Sequence, residues 1–347
     1  MFAAALLAAI SVPAFATSDV SGTDILREWN LVVLGDLISS SEVEGRTFVA
    51  GNLNGNSSNY NIASIPASSN GEPGLTVVGD VNGGTKNLNN GSGAIVGGNV
   101  NSGFNLNGAA QTVQVGGTIS NTNVNQNTVN SGLSSSDPSF SQNLQQQSSL
   151  IASSTKDLSH DLSTLPSNSS LTINGNTGTF NAQPDANGVA VFNISAADLD
   201  KIGEIQFNLN GADTAIVNVS GTSITLNDNF LGGTNNLGEH VIWNFPDATS
   251  LDLTTAFGGS VLAPNAAAHT SNYIQGSAVF GSLVQDGEMH VGTYSGGYYP
   301  PPPSNSSSTS GGSSSGGTDV PEPGMLVLFG AGIAALLFWR RRRAQAA

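Results

Sequence analysis

Phe48-Val49-Ala50-Gly51-Asn52-Leu53, Thr76-Val77-Val78-Gly79-Asp80-Val81, Ile95-Val96-Gly97-Gly98-Asn99-Val100 and Val113-Gln114-Val115-Gly116-Gly117-Thr118-Ile119 share one plan: a short apolar segment, glycine, a small polar residue, then an apolar residue. Their last residues stand 28, 19 and 19 positions apart, and Val261 and Val279 repeat the motif 18 apart. Near-constant steps of this kind are what stacked coils require, because each coil of short strands lays its inward residues on those of the next. Glycine supplies the corner with positive φ, and asparagine tolerates that conformation best among the rest. The spacing predicts a mostly β protein, a right-handed β-helix or solenoid. A β-sandwich with Gly/Asn hairpins is the alternative.

One segment breaks the pattern. Between Pro138 and Leu165 there is no glycine, and Leu144, Ile151, Leu158 and Leu165 recur every seventh residue beside Phe140 and Leu162. A narrow apolar stripe of this period predicts a helix over about 138–165 that lies along a flank of the solenoid and covers strand faces. Pro166 ends it.

Working outward, the chain closes in distinct parts. Pro300 to Pro303 open a Pro/Gly/Ser-rich linker over 300–319, a polyproline segment running into flexible coil. Pro321-Glu322-Pro323 follows, then an apolar run over 324–339 and the basic cluster Arg340, Arg341, Arg342 and Arg343. Sixteen residues at 1.5 Å each reach roughly 24 Å, just short of a hydrocarbon core, with the arginines held cytoplasmic. At the other end, residues 1–16 are apolar and finish Ala14-Phe15-Ala16, the small-x-small pattern of a signal peptide cleaved after Ala16, although the usual basic start is missing. The folded domain is expected over 23–299.

The composition excludes some partners. Before Pro321 there are five basic and 23 acidic residues, a formal charge of −18, which repels phosphate backbones and argues against nucleic acid. There is no cysteine, so disulfides and thiolate metal sites are ruled out.

The tail resembles the PEP-CTERM sorting signal, over 320–347. That resemblance implies a transient inner-membrane anchor processed by an exosortase on the way to the cell surface or exopolysaccharide matrix of a Gram-negative bacterium. Trp29 to Leu37, Val43 to Leu53, Val241 to Ala248, Gly259 to Ala266 and Gly287 to His290 together resemble the choice-of-anchor A domain, whose relatives are ice-binding-like adhesive domains with a helix packed on a β-helix. Adhesion is implied, with exopolysaccharide or other surface glycans as partners. The family supplies no catalytic residue or ligand to carry over.

Candidate chemistry is sparse. Asp286, Glu288 and His290 alternate, and on one strand face they form a candidate site for Ca²⁺ or a transition metal, with a solvated strand edge as the plainer reading. Glu44 and Arg46 have the spacing of a same-face ion pair. None of the four histidines lies in a recognisable nucleophile context, and no catalytic residue or required cofactor is expected. A surface polysaccharide hydrolase or lyase on a β-helix is the rival function. Tyr294, Tyr298 and Tyr299 either stack on sugars or cap the end of the solenoid, while Trp29 and Trp243 are expected in the core. Only Thr177-Gly178-Thr179 has the Thr-x-Thr form that an ice-binding ladder would repeat.

Overall fold

A computed structural model describes residues 20–300. The signal peptide, linker, apolar run and sorting signal expected from the sequence lie outside the described residues. Within them the chain is a solenoid-like array of short parallel strands with flanking helices. Every strand pairing is parallel except one hairpin, which argues against the antiparallel sandwich.

Each repeat contributes to three stacks. In the first half the first stack holds Leu31–Val33, Thr47–Val49, Leu75–Val77, Ala94–Val96, Thr112–Val115 and Thr128–Asn130. The second stack runs through Leu37–Ser39 and Leu53–Asn54 and continues as single bridges, Leu53 to Val81, Val81 to Val100 and Val100 to Ile119. These are the residues whose spacing betrayed the repeat. The third stack holds Glu42–Val43, Ser58–Tyr60, Lys86–Leu88 and Phe104–Leu106. Alternation along each strand turns Leu31, Val33, Val49, Val77, Leu53, Val81 and Phe104 into one common core. The step of 28 is the same coil with an insertion after Tyr60, residues 61–74.

The two halves are not stacked in chain order. The first half builds outward from Leu31–Val33 and ends at Thr128–Asn130. The second starts at the opposite end with Val189–Ser195 and builds inward to Ala278–Gln285, which pairs with Leu31–Val33 through Leu31 and Ala278. The first and last coils thus meet at a seam inside the array. Buried Asn30 stitches that seam: its Nδ2 donates to the carbonyls of Gly276 (2.8 Å) and His290 (3.0 Å), and its Oδ1 accepts from Gly45 N–H (2.9 Å). Val261 pairs with Ala278, not Val279, so the true step is one residue shorter than the sequence suggested. With a side-chain period of two, that slip moves Val279 to the outer side of the sheet, where it packs under the helix.

The reversal is made by the helix Pro138–Ser163. Asp137 caps its start by accepting from Ser139 N–H (3.0 Å), and Pro138 occupies the first turn, where its missing N–H costs nothing. Its 26 residues reach about 39 Å, the height of roughly eight coils at strand spacing. Phe140, Leu144, Ile151, Leu158 and Leu162 pack against Val32, Phe48, Ile216, Ile242, Leu262 and Val279 on the outer side of the first stack, forming a second core. The N-terminal helix Gly22–Glu28 packs on it so closely that a Cβ at Gly22 would lie 2.5 Å from Leu158 Cβ.

The helix has no glycine stop. An asparagine ladder on three adjacent strands of the first stack ties its last turns and exit to the sheet: Asn193 Nδ2 donates to Leu165 O (3.0 Å), Asn218 Nδ2 to Leu162 O (2.8 Å) and Asn244 Nδ2 to Ser159 O (2.8 Å).

After the last strand, residues 291–299 run as a strap beside the N-terminal helix. Ser295 and Gly296 N–H both donate to Glu239 O (3.1 Å), and Arg27 Nη2 donates to the carbonyls of Gly296 (2.6 Å) and Tyr298 (3.1 Å).

The ends of the array are closed differently. At the first-half end, side chains replace a next strand on the third stack: Thr122 Oγ1 accepts from Phe104 N–H (3.0 Å) and Asn123 Oδ1 from Leu106 N–H (2.7 Å). At the second-half end, residues 168–169 bond the flank of Val189–Ser195, and a sheet of four strands, Ser170–Asn174, Thr177–Asn181, Glu204–Asn208 and Asn229–Phe230, completes the third side.

Candidate adhesive surface

The long helix covers the outer side of the first stack, so outward residues of the second and third stacks are what the array presents to solvent. Parallel pairing in register places equivalent residues of successive coils in rows about 4.8 Å apart. On the second stack one row holds Asn54, Asn82 and Asn101: Asn82 Nδ2 donates to Asn54 Oδ1 (3.0 Å) and Asn101 Nδ2 to Asn82 Oδ1 (2.8 Å). At the adjoining corner Asp36, Asn52, Asp80, Asn99 and Thr118 form a second ladder, in which each of the first four side chains accepts from the backbone N–H of the next coil: Asn52 N to Asp36 Oδ1 (2.7 Å), Asp80 N to Asn52 Oδ1 (2.9 Å), Asn99 N to Asp80 Oδ1 (2.6 Å), Thr118 N to Asn99 Oδ1 (3.0 Å). The third stack carries Asn87 and Asn105 (2.8 Å) and Asn89 and Asn107 (3.2 Å) in the same manner. Each ladder amide uses part of its capacity on its neighbour and keeps the rest for solvent or a ligand.

Across the seam the second-stack row continues through Ile38 and Val284, adjacent in register and 48% and 40% exposed, to His269 and Asp252. His269 Nδ1 lies 2.9 Å from Asp252 Oδ1 and its Nε2 3.2 Å from Asp286 Oδ2. The bond to Asp252, and then that to Asp286, hold the imidazole above its ordinary pKa, with partial burial opposing.

Asp286, Glu288 and His290 do not share one strand face. Gly287 stands at the corner between the second and third stacks, so Asp286 faces His269 while His290 Nε2 pairs with Glu288 Oε2 (2.7 Å) and stacks on Tyr273 (ring centroids 4.5 Å apart). Among the described residues no three His, Asp or Glu side chains converge on a metal-binding point. Glu44 and Arg46 also part company: Glu44 Oε2 accepts from Val291 N–H (2.6 Å), and Arg46 pairs with Glu28 (3.4 Å).

The three tyrosines lie in or beside the strap rather than at an end of the array. Tyr294 and Tyr298 are buried in the helix-side core, the Tyr294 hydroxyl bonded to Thr214 Oγ1 (2.8 Å). Tyr299 is 61% exposed, with the Arg27 guanidinium 4.2 Å from its ring centroid. Trp29 and Trp243 are core, as their apolar surroundings indicated.

A groove of about 300 Å³ between the two helices and the insertion is lined by Arg27, Glu28, Glu72, Gln147 and Ile151. No sequence signal marked Glu72. Burial pushes its carboxyl up to about 7, against a lowering bond from Gln147 Nε2 (3.1 Å). Burial, with the charge of Asp200, likewise raises Asp228 to about 6. Both bind a proton more tightly folded than unfolded, so their stabilisation is complete below the unfolded pKa values of 4.5 for Glu72 and 3.8 for Asp228 and is lost as pH rises through about 6 to about 7. The melting temperature is therefore expected to be higher at pH 5 than at pH 7.5. Glu72→Gln should raise the pH 7.5 value and flatten the dependence by roughly 1–2 kcal/mol, after discounting for partial exposure. A thermal scan of both proteins across this range checks it, and a wild-type curve that falls toward pH 5 would contradict it.

Among the described residues no helix is long and apolar enough to cross a membrane, and the expected run over 324–339 lies outside them. Compared with known families, residues 22–291 match the ice-binding-like adhesive domain and residues 319–343 match the PEP-CTERM protein-sorting motif. No curated protein and no solved structure matches the chain. The first match spans the whole solenoid-like array from the N-terminal helix to the last strand. The chain belongs to the ice-binding-like adhesive domain family, a non-catalytic module, and with its sorting motif it is an exported, surface-associated adhesive protein acted on by an exosortase-type enzyme.

Proposed function

We infer that the domain is a right-handed β-helix that adheres to extended, uncharged matrix polysaccharide through its two uncovered sides. The observation that carries this reading is the set of register-aligned asparagine rows on the second and third stacks, beside a first stack occupied by the long helix. A repeating row of half-used amides suits a repeating row of hydroxyls, and the strong negative charge disfavours polyanions. The test is co-sedimentation of the full chain with insoluble neutral exopolysaccharide, comparing wild type with Asn54→Ala/Asn82→Ala/Asn101→Ala. About tenfold weaker retention is expected if each lost hydrogen bond contributes about 0.5 kcal/mol, with the melting temperature showing that the fold survives. Unchanged retention would overturn the reading.

Delivery follows from the two ends. Residues 1–16 direct export, and the 324–339 span holds the chain briefly in the inner membrane with Arg340 to Arg343 inside. Processing at or near Pro321-Glu322-Pro323 then releases it to the surface or matrix. A span of that length is marginal for permanent residence, which favours a transient anchor. Intact-mass analysis of protein recovered from the matrix should find neither the span nor the arginines. A species retaining Arg343 would sink the processing step.

A further inference from the structure

The strand Ser170–Asn174 is the last of its sheet, and its outer flank pairs with no strand among the described residues. Edge strands in soluble proteins are usually blunted by charge, proline, a bulge or a cover. This one has none of those guards. Its sequence, Ser-Leu-Thr-Ile-Asn, and that of its hairpin partner Thr177–Asn181, Thr-Gly-Thr-Phe-Asn, are uncharged in a chain with 24 acidic residues. The pairing of the two is unbroken over five residues, from Ser170 with Asn181 to Asn174 with Thr177. Ile173 is 39% exposed, opposite Gly178, over which the Ile202 side chain lies. At the other end of the array Thr122 and Asn123 occupy N–H groups that a further third-stack strand would use, and the terminal strand Thr128–Asn130 is three residues long.

We propose that Ser170–Asn174 is a docking edge for a second copy of this chain, paired antiparallel with its own counterpart about a two-fold axis through Thr172. In that register Leu171 faces Ile173 of the other copy, Ser170 faces Asn174, and Thr172 faces itself. Apolar residues meet apolar and polar meet polar, which is the self-complementarity an isologous contact demands. No like charges oppose, so two strongly acidic chains can approach here. A strand of five residues buries far less than a stable dimer interface, so each contact is weak and gains strength when many copies are displayed on one surface. The adhesive contact is then homotypic, between chains, in addition to any polysaccharide contact. It stands or falls independently of glycan retention.

The chain has no cysteine, so one introduced thiol reports the geometry without interference. In the full chain in detergent, Thr172→Cys should form a disulfide-linked dimer about tenfold faster than Asn174→Cys, because only residues at the axis meet their own copies within disulfide reach. Sedimentation of the full chain should show a mass that rises with concentration. Ile173→Lys should abolish that rise while leaving the circular dichroism spectrum and melting temperature unchanged. Equal crosslinking at both positions, a mass independent of concentration, or a rise that survives Ile173→Lys would each overturn the proposal. Retention on exopolysaccharide should be the same for all these variants in monomeric form.

Discussion

Trp243→Ala is expected to destabilise the domain by about 3–5 kcal/mol, the range for removing a large buried aromatic. Trp243 is fully buried, and its indole is the hub of an aromatic cluster, with ring centroids 5.4 Å from Phe180, 5.7 Å from Phe207, 6.3 Å from Phe230 and 5.3 Å from Phe257. Those four rings come from four different strands or strand ends of the third side. Their packing against one residue of the first stack is what joins the two sides in the second half. The indole N–H also donates to Gly258 O (3.0 Å), and Gly259, at φ +122°, leaves room for the ring, since a Cβ there would lie 2.6 Å from Trp243 Cδ1. The cavity left by alanine would have no nearby side chain able to fill it without breaking the cluster. Urea denaturation followed by far-UV circular dichroism measures the loss, and a cost below about 1 kcal/mol would show that the cluster collapses onto the gap.

Asn244→Leu should cost about 2–4 kcal/mol although it keeps the branched heavy-atom skeleton and adds apolar surface. Asn244 is completely buried between helix and sheet. Its Nδ2 serves Ser159 O (2.8 Å) and Asn218 Oδ1 (2.9 Å), and its Oδ1 accepts from Ser159 Oγ (2.6 Å). Leucine would leave Asn218 Oδ1 and Ser159 Oγ buried without this partner, which costs more than the hydrogen bonds themselves contribute net. Amide hydrogen exchange in residues 159–165 should accelerate more than in the first turns of the same helix. Ser159→Ala, which removes a single partner, should cost less than half as much.

The sequence announced the repeat where glycine corners and inward valines were regular. Leu53, Val81, Val100 and Ile119 are bridged in the order their spacing implied, and the apolar stripe of the helix faces the sheet. Stack direction was not legible. A coil looks alike whether it adds above or below the last, and only the pairing of Leu31 with Ala278 reveals that the halves meet at an internal seam. For the same reason the strap tyrosines read as an end cap: the chain terminus of the domain was equated with the end of the array. Alternation of Asp286, Glu288 and His290 implied a common strand face, but Gly287 turns a corner between them. Lys86 was missed because lysine reads as surface, yet it sits at an inward position of its strand with Nζ bonded to the carbonyls of Gly55 and Asn56, and burial lowers its pKa to about 8. The exposed rows were hidden for a different reason. Asparagine is frequent throughout the chain, and only parallel register separates ladder residues from those that occupy corners.

The strap joins the exit of the polypeptide to the last strand, which lies at the internal seam rather than in a coil at either end, and on its way it crosses the second half past Glu239 to Asp213. Tension applied at Pro300 therefore enters through Arg27, whose guanidinium grips two strap carbonyls, and through the bonds of Ser295 and Gly296 to Glu239. Those bonds, with Gly297 N–H to Asp213 and the Tyr294 hydroxyl to Thr214, lie in series with the load ahead of the strand ladders. The strap should peel first, lengthening the connection by several residues and dissipating a tug while both halves stay folded. An adhesive anchored from its terminal coil would instead unravel rung by rung from the point of attachment, and the inverted stacking of this chain removes that failure route.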